Sequence, residues 1–227
     1  MKQLIIESLS KSYGRKPVFA NIDLCYRSGT VNGIIGSNGA GKSTFLNCIA
    51  GFIPYSGKIF KKNIRTVGLL TANPYMFPRI TGYEFIEFCL SAKNSKTDKR
   101  RLQRLNSLFE LPLAQYAEEY STGMLKKLHL LALLLQDNDL LLLDEPFNGL
   151  DAVSSAYLVE LLKELKKQDA FIFISSHDVN RLIQLADTLT IIENGTACLK
   201  PDALSDIEKE IQEAAREKVK NIFSSTE

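Results

Sequence analysis

Gly36-Ser37-Asn38-Gly39-Ala40-Gly41-Lys42-Ser43-Thr44 is the stretch that decides how this chain folds. It fits the phosphate-loop pattern G-x-x-x-x-G-K-[ST]. Residues 30–35, Thr-Val-Asn-Gly-Ile-Ile, read as a buried strand entering the loop, and residues 43–50 read as a helix leaving it. A glycine-rich turn that ended in Lys-Ser by chance would lack those flanks. The glycines let successive backbone N–H groups converge on an anion, and the following helix points its positive end at the same place. Lys42 adds a mobile point charge for the β- and γ-phosphates of a nucleotide, and the Ser43 hydroxyl is placed to coordinate Mg²⁺. We assign the whole stretch, residues 36–44, to phosphate binding.

Composition sets the frame around the loop. The 227 residues suffice for one large domain with a substantial core, with or without an inserted lobe. Hydrophobic residues at 45% and charged residues at 24% are ordinary for a globular protein. A net charge of +2 gives no reason to expect nucleic acid as a partner. Residues 1–10 form a mildly apolar, strand-like run with Lys2 and Glu7 in it, and no secretory signal is visible. The longest apolar stretches, residues 128–135 (broken by His129) and 140–143, fall far short of the roughly 20 residues a bilayer span needs. Cys25, Cys48, Cys89 and Cys198 are scattered without metal spacing and read as free thiols in a reducing cytoplasm.

Along the chain, short β-prone runs (4–6, 18–19 and 22–26) precede the loop, with turns around Tyr13-Gly14 and Ser28-Gly29. Residues 51–57 turn the chain into a strand around 58–60, and another strand fits 66–70. From residue 82 to about 135 the apolar spacing becomes helical, in 83–88 and again in 101–109, before Pro112 breaks it. We expect a helical lobe over about 73–135, inserted between two parts of a sheet, within a single domain spanning residues 1–227. The charges in 96–104 carry no interleaved aromatics and read as a solvated helix face. Strands at 140–143 and 170–174, joined by an amphipathic helix over 153–167, predict a parallel unit. A last strand fits 188–192, with Asn194-Gly195 as a tight turn. Residues 206–223 read as a charged helix. The fold class is α/β: a parallel sheet of the phosphate-loop NTPase type, an antiparallel β edge near the N-terminus, and the helical lobe.

Leu140-Leu141-Leu142-Leu143-Asp144-Glu145 is an apolar strand ending in two carboxylates. Such a strand delivers its last side chains to the carboxyl edge of a parallel sheet, where ligands bind. Asp144 suits the Mg²⁺ there, and Glu145 suits the polarisation of a water that attacks the γ-phosphate.

The residues from 144 to 151, Asp-Glu-Pro-Phe-Asn-Gly-Leu-Asp, resemble the Walker B segment and D-loop of the ATP-binding cassette (ABC) ATPases. Other markers of that family follow the same order. Tyr120-Ser121-Thr122-Gly123-Met124 is similar to the signature motif, although a Ser-Thr-Gly turn also caps ordinary helices. Ser175-Ser176-His177-Asp178 resembles the switch histidine segment. The resemblance covers residues 4–195. It implies that two cassettes sandwich two ATP molecules, and that Ser121 and the Gly123 backbone reach the γ-phosphate bound by the partner. It also implies nucleotide contact by the D-loop residue Asp151, a hydrogen bond from His177 to the γ-phosphate, and stacking of Tyr13 on adenine. For Tyr13 the alternative is a tyrosine beside the Gly14 turn, and His129 reads as a core or interface residue with no catalytic part.

Two departures from the family pattern stand out. The Gln usual at the end of strand 66–70 is replaced by Ala72 with Asn73 beside it, so either Asn73 substitutes or the contact is missing. The signature carries Thr122 for Gly and Met124 for Gln, a form similar to cassettes of exporter-type systems. The resemblance thus implies an ATP-hydrolysing, Mg²⁺-dependent subunit of an ABC transporter of the exporter type. Its partners would be a second cassette, identical or related, and separate membrane subunits docked near residues 74–84, at the cytoplasmic face of the cell membrane. The competing expectations are a soluble ABC ATPase acting on a protein or nucleic-acid assembly, and a regulatory cassette with little turnover.

Overall fold

The structure is a computed structural model describing residues 1–96 and 98–200; the charged helix expected over 206–223 lies outside them. Two strands open the chain, β1 (Gln3–Tyr13) and β2 (Lys16–Arg27), paired antiparallel. Sequence reading finds only their apolar centres. Register shifts after Ile6 and after Leu9, with Ser8 and Asn21 at positive φ, interrupt the period-2 alternation that would otherwise mark their full length. β3 (Val31–Ile35) runs into the phosphate loop, and α1 (Lys42–Ala50) leaves it. β4 (Ser56–Lys62) then joins β1, and β5 (Val67–Leu70) follows.

Three helices come next: α2 (Gly82–Ser91), α3 (Lys99–Phe109) and α4 (Thr122–Leu135). The Thr81 hydroxyl and the Glu84 carboxylate cap α2 reciprocally, and Asp98 caps α3. The chain closes with β6 (Leu140–Asp144), α5 (Ala152–Lys167), β7 (Phe171–Ser175), α6 (Val179–Leu185), β8 (Thr188–Glu193) and β9 (Thr196–Lys200). Both α6 and β9 are additions to the expectation. α6 is too short to show a period, and β9 mixes polar and apolar residues at a half-exposed edge.

The strands sort into two sheets. One is antiparallel, in the order β2-β1-β4; the other has the order β5-β6-β7-β3-β8-β9 and is parallel except for β9. The antiparallel part near the N-terminus is therefore a sheet of its own. Leu140 to Leu143 explain the layering. Four apolar residues in a row cannot alternate between core and water, so β6 must be buried on both faces. Leu140 and Leu142, with Phe171 and Phe173 of β7, pack against α1 and the antiparallel sheet. Leu141 and Leu143, with Ile172 and Ile174, pack against the helices on the opposite face. The loop after β3 and the carboxylates after β6 thus emerge at one carboxyl edge.

His129 lies on α4 with its ring centroid 4.6 Å from that of Phe85. Its Nε2 is buried without a partner, and burial, opposed by a backbone hydrogen bond at Tyr75, pushes its pKa down to about 4. The unfolded chain binds this proton near pH 6.5 and the folded chain does not, so stability attached to His129 is full above 6.5 and falls as the pH drops toward 4. Between pH 7.5 and 5 it should amount to roughly 2 kcal/mol. We expect chemical denaturation of the wild type to show that loss relative to His129→Met, whose stability should vary less over the same range.

Candidate functional site

α1 differs from the other α-helices of the described residues in how it begins. Thr81, Asp98, Ser121, Asp151 and Asp178 each place a side-chain oxygen on the first amides of α2 to α6. The N-cap of α1 is Gly41, which offers none. An uncapped N-terminus with converging amides is a site awaiting an anion. Gly41 is required there: its φ is 109°, and a Cβ on it would stand 2.6 Å from Val18 Cγ1. Lys42 is buried in the loop, and its Nζ donates to the Gly36 carbonyl (2.8 Å) and the Ser37 carbonyl (3.3 Å). The Ser43 side chain is exposed beside it.

A cleft of about 610 Å³ opens over the loop. Residues 37–44 line it together with Tyr13, Asp144 and Glu145. Tyr13 is 55% exposed, and the Lys11 ammonium lies 4.7 Å from its ring centroid. Pro17 and Val18 of β2, and Glu193, Asn194 and Gly195 at the β8–β9 turn, complete the wall. Sequence reading found Asn194-Gly195 only as a turn. Its place in the cleft depends on the Gly195 carbonyl accepting from the Ala20 amide, a contact between distant segments.

The carboxylates are held from the neighbouring strand. Asp144 is buried and accepts from Ser175 Oγ. The Glu145 amide donates to the Ser175 carbonyl and hydroxyl, each at 3.1 Å. Those bonds keep Glu145 at a φ of 48°, a left-handed conformation that costs a non-glycine residue about 1–2 kcal/mol. The Glu145 carboxylate meets His177 Nδ1 at 3.0 Å, while the imidazole is 58% exposed. With Nδ1–H donating to Glu145, Nε2 of a neutral ring is an acceptor. It donates to a phosphate only as imidazolium, or after the Glu145 contact is released. Ser175 went unassigned in the sequence, because its weight comes from standing beside Asp144 at the end of the neighbouring strand.

The donor set suits Mg²⁺. Among the described residues no group of three His, Cys, Asp or Glu side chains could cage a metal ion. Mg²⁺ is ordinarily bound through one or two protein oxygens plus substrate phosphates, and the Ser43 hydroxyl and the Asp144 carboxylate are hard oxygens that both line the phosphate cleft.

The remaining sequence-predicted residues gather elsewhere. Ser121 Oγ accepts from the Met124 amide as the cap of α4, which leaves its own O–H free to donate. Gly123 lies so close to the next loop that a Cβ would stand 2.4 Å from the Gly149 carbonyl. Asp151 caps α5 through the Ser154 amide and pairs with Lys127 of α4 at 2.7 Å, and the Lys127 bond holds its carboxyl below the usual range. None of Ser121, Gly123 and Asp151 lines the cleft, nor does Ala72 or Asn73. Asn73 is exposed and makes no hydrogen bond among the described residues.

The ABC transporter family model matches residues 19–148 of this chain. The bacitracin transport ATP-binding protein of Enterococcus faecalis is 30% identical over 203 residues, covering 83% of this chain, which in turn spans 66% of that protein's length. The probable sulfate/thiosulfate import ATP-binding protein of Chlorella vulgaris is 31% identical over 208 residues, covering 85% of this chain and 88% of its own. A solved ATP binding subunit of an ABC transporter superposes with a TM-score of 0.81 at 25% identity, covering 92% of this chain and 93% of its own.

Ser175→Ala removes the hydroxyl that donates to the Asp144 carboxylate and accepts from the Glu145 amide, and leaves the apolar strand intact. ATP turnover should fall about tenfold or more, the range found for groups that orient a metal or catalytic ligand, with the thermal midpoint changed by only a few degrees. A steady-state assay paired with thermal unfolding checks both.

Proposed function

The chain belongs to the ABC transporter family, and on that footing we propose that it is the ATP-hydrolysing subunit of an exporter, acting as a pair of cassettes beneath separate membrane-spanning subunits. One observation carries this reading. The site residues fall into two groups on one chain: the loop, Asp144 and Glu145 in the cleft, and Ser121, Gly123 and Asp151 gathered around the start of α4 away from it. Each chain has both halves of an ATP site and does not join them. A second cassette related by a two-fold axis joins half to half, once at each of two sites.

In this reading the phosphates rest on the loop amides and the uncapped start of α1. Lys42 exchanges its carbonyl contacts for phosphate oxygens, and adenine lies on the Tyr13 face that Lys11 leaves open. The Ser43 hydroxyl and Asp144 are the residues that would hold Mg²⁺, which when bound neutralises charge on the phosphates. Glu145, fixed by Ser175 and by His177, takes the proton from the attacking water. The Ser121 hydroxyl donates to the γ-phosphate bound by the partner, and Asp151 borders the same junction.

The membrane partner's docking place is the groove between the sheet and α2. It is lined by Phe52, Phe85, Cys89 and His129. On the same helix Phe88 joins an exposed aromatic cluster with Phe77 and Tyr75, the last 72% exposed. Apolar surface of this kind on a polar protein marks an interaction site. No helix of the described residues is long and apolar enough to cross a membrane, so we assign the groove to a helical segment of a separate membrane subunit and place the chain at the membrane's cytoplasmic face. Relatives of equal similarity are named for bacitracin transport and for sulfate/thiosulfate import. The assignment of export therefore rests on the Tyr-Ser-Thr-Gly-Met signature.

Lys42→Ala should lower Mg-ATP affinity or turnover about a hundredfold or more. Glu145→Gln should bind ATP, turn it over slowly, and elute as a dimer on sizing with Mg-ATP. A Glu145→Gln protein that binds ATP and stays monomeric would count against the paired cassettes. Copurification of an integral membrane protein with the wild type, lost on Tyr75→Ser/Phe88→Ser, tests the docking face; failure to recover one favours a soluble ATPase.

A further inference from the structure

A buried ammonium sits where the expected glutamine side chain is missing. Lys126, on α4 beyond the Ser121 cap, is 3% exposed. Its Nζ donates to the Ala72 carbonyl at 2.7 Å, with the Thr71 carbonyl at 3.5 Å. Those carbonyls follow β5 directly. β5 pairs in parallel with β6, Leu70 beside Leu143, so residues 71 and 72 leave the sheet at the edge where Asp144 and Glu145 leave it. Among the described residues Lys126 forms no ion pair within bonding distance. Two carbonyls satisfy its protons without neutralising its charge, and a buried charge needs neutralising. Asp144 and Glu145 are the acidic groups whose charge is felt at Lys126, opposing the loss of its proton that burial favours.

We propose that Lys126 is a positioning residue for hydrolysis: its fixed ammonium clamps the 71–72 backbone and offsets the charge of the Asp144–Glu145 edge, providing from α4 the link that Ala72 cannot make. The inference rests on the ATPase reading above. It also answers the choice left open by the sequence, because Asn73 is exposed and unbonded while the contact at this loop comes from another element. Since α4 also begins with Ser121, the residue that faces the partner's nucleotide is joined through one helix to the loop beside this chain's own carboxylates.

The test uses the full chain with Lys126→Met, Lys126→Gln and Lys126→Arg. Turnover is resolved into kcat and KM for Mg-ATP, Mn²⁺ affinity is measured by electron paramagnetic resonance in the presence of ADP, and the thermal midpoint is recorded. Loss of the charge in Met and Gln should lower kcat about tenfold with KM within about twofold, as for other groups that orient a site, and tighten Mn²⁺ binding about threefold, because a fixed positive charge near the carboxylates no longer repels the cation. Arginine should restore kcat to within about threefold of wild type. If the Met variant does not fold, Gln, which keeps donors for the two carbonyls, decides the matter. Wild-type kcat and wild-type Mn²⁺ affinity in Met and Gln would overturn the proposal. So would equal losses in all three variants that track the fall in thermal midpoint, since that is the signature of packing alone. A wild type without turnover would defeat the ATPase reading, and the Mn²⁺ comparison would still decide the charge inference.

Discussion

The cleft depends on β7 lying between β3 and β6. The phosphate loop leaves β3 and the carboxylates leave β6, and these strands do not touch. Each pairs with β7, with Ser175 opposite Ile34 on one side and Asp144 on the other. Adjacent strands lie about 4.8 Å apart, so the two edges stand roughly 10 Å from each other. That gap leaves room above β7 for the cleft that both the phosphate loop and Asp144 line. Backbone hydrogen bonds set that spacing, and burial of β6 and β7 on both faces holds their register, since a slip would draw the carboxylate end of β6 into the core.

Much of this was legible in the chain. The apolar runs 140–143 and 170–174 pointed to strands of a parallel sheet, the first of them covered on both faces, and the phosphate-loop pattern was set between a strand and a helix as expected. What remained hidden shares one physical property: it arises from contacts between segments distant in sequence. The full lengths of β1 and β2 were obscured by bulges that break alternation locally and are tolerated because the partner strand absorbs them. Asn194 and Gly195 reach the cleft through a bond to β2. Ser175 matters through what stands beside it on β6, and Lys126 through a carbonyl 54 residues away. Spacing along a chain carries no record of such partners.

The two neighbouring lysines of α4 divide by solvent, and the division bears on function. Lys127 and Asp151 approach to 2.7 Å, yet the Asp151 side chain is half exposed, so water and salt screen the pair and its contribution to stability is small. Its effect is geometric: with Gly123 seated on Gly149, it keeps the start of α4 in register with the loop between β6 and α5. Lys126, one residue earlier and facing inward, is in the opposite regime. It is buried, so its bonds to the two carbonyls are strong and leaving its protons unbonded would be costly. Successive residues of a helix point about 100° apart, which lets one short stretch present a screened contact to the outer loop and an unscreened one to the inner edge.

That arrangement limits how the site can respond to a partner. A helix of 14 residues is stiff over its length, and α4 is attached at its start to the 147–151 loop and farther along to the backbone at Ala72. A displacement of the Ser121 end therefore strains at least one of these attachments, and the screened one yields first because it is the weaker. Beyond Lys126 the helix buries Leu128 and Leu130 to Leu135 in the core, so α4 is held along most of its length and its Ser121 end is the part with least buried. The Lys126 bond to the Ala72 carbonyl fixes the 71–72 backbone to that same helix, beside the edge where β5 and β6 end together. The start of α4 and the loop beside the acidic pair are thereby referred to one packed element.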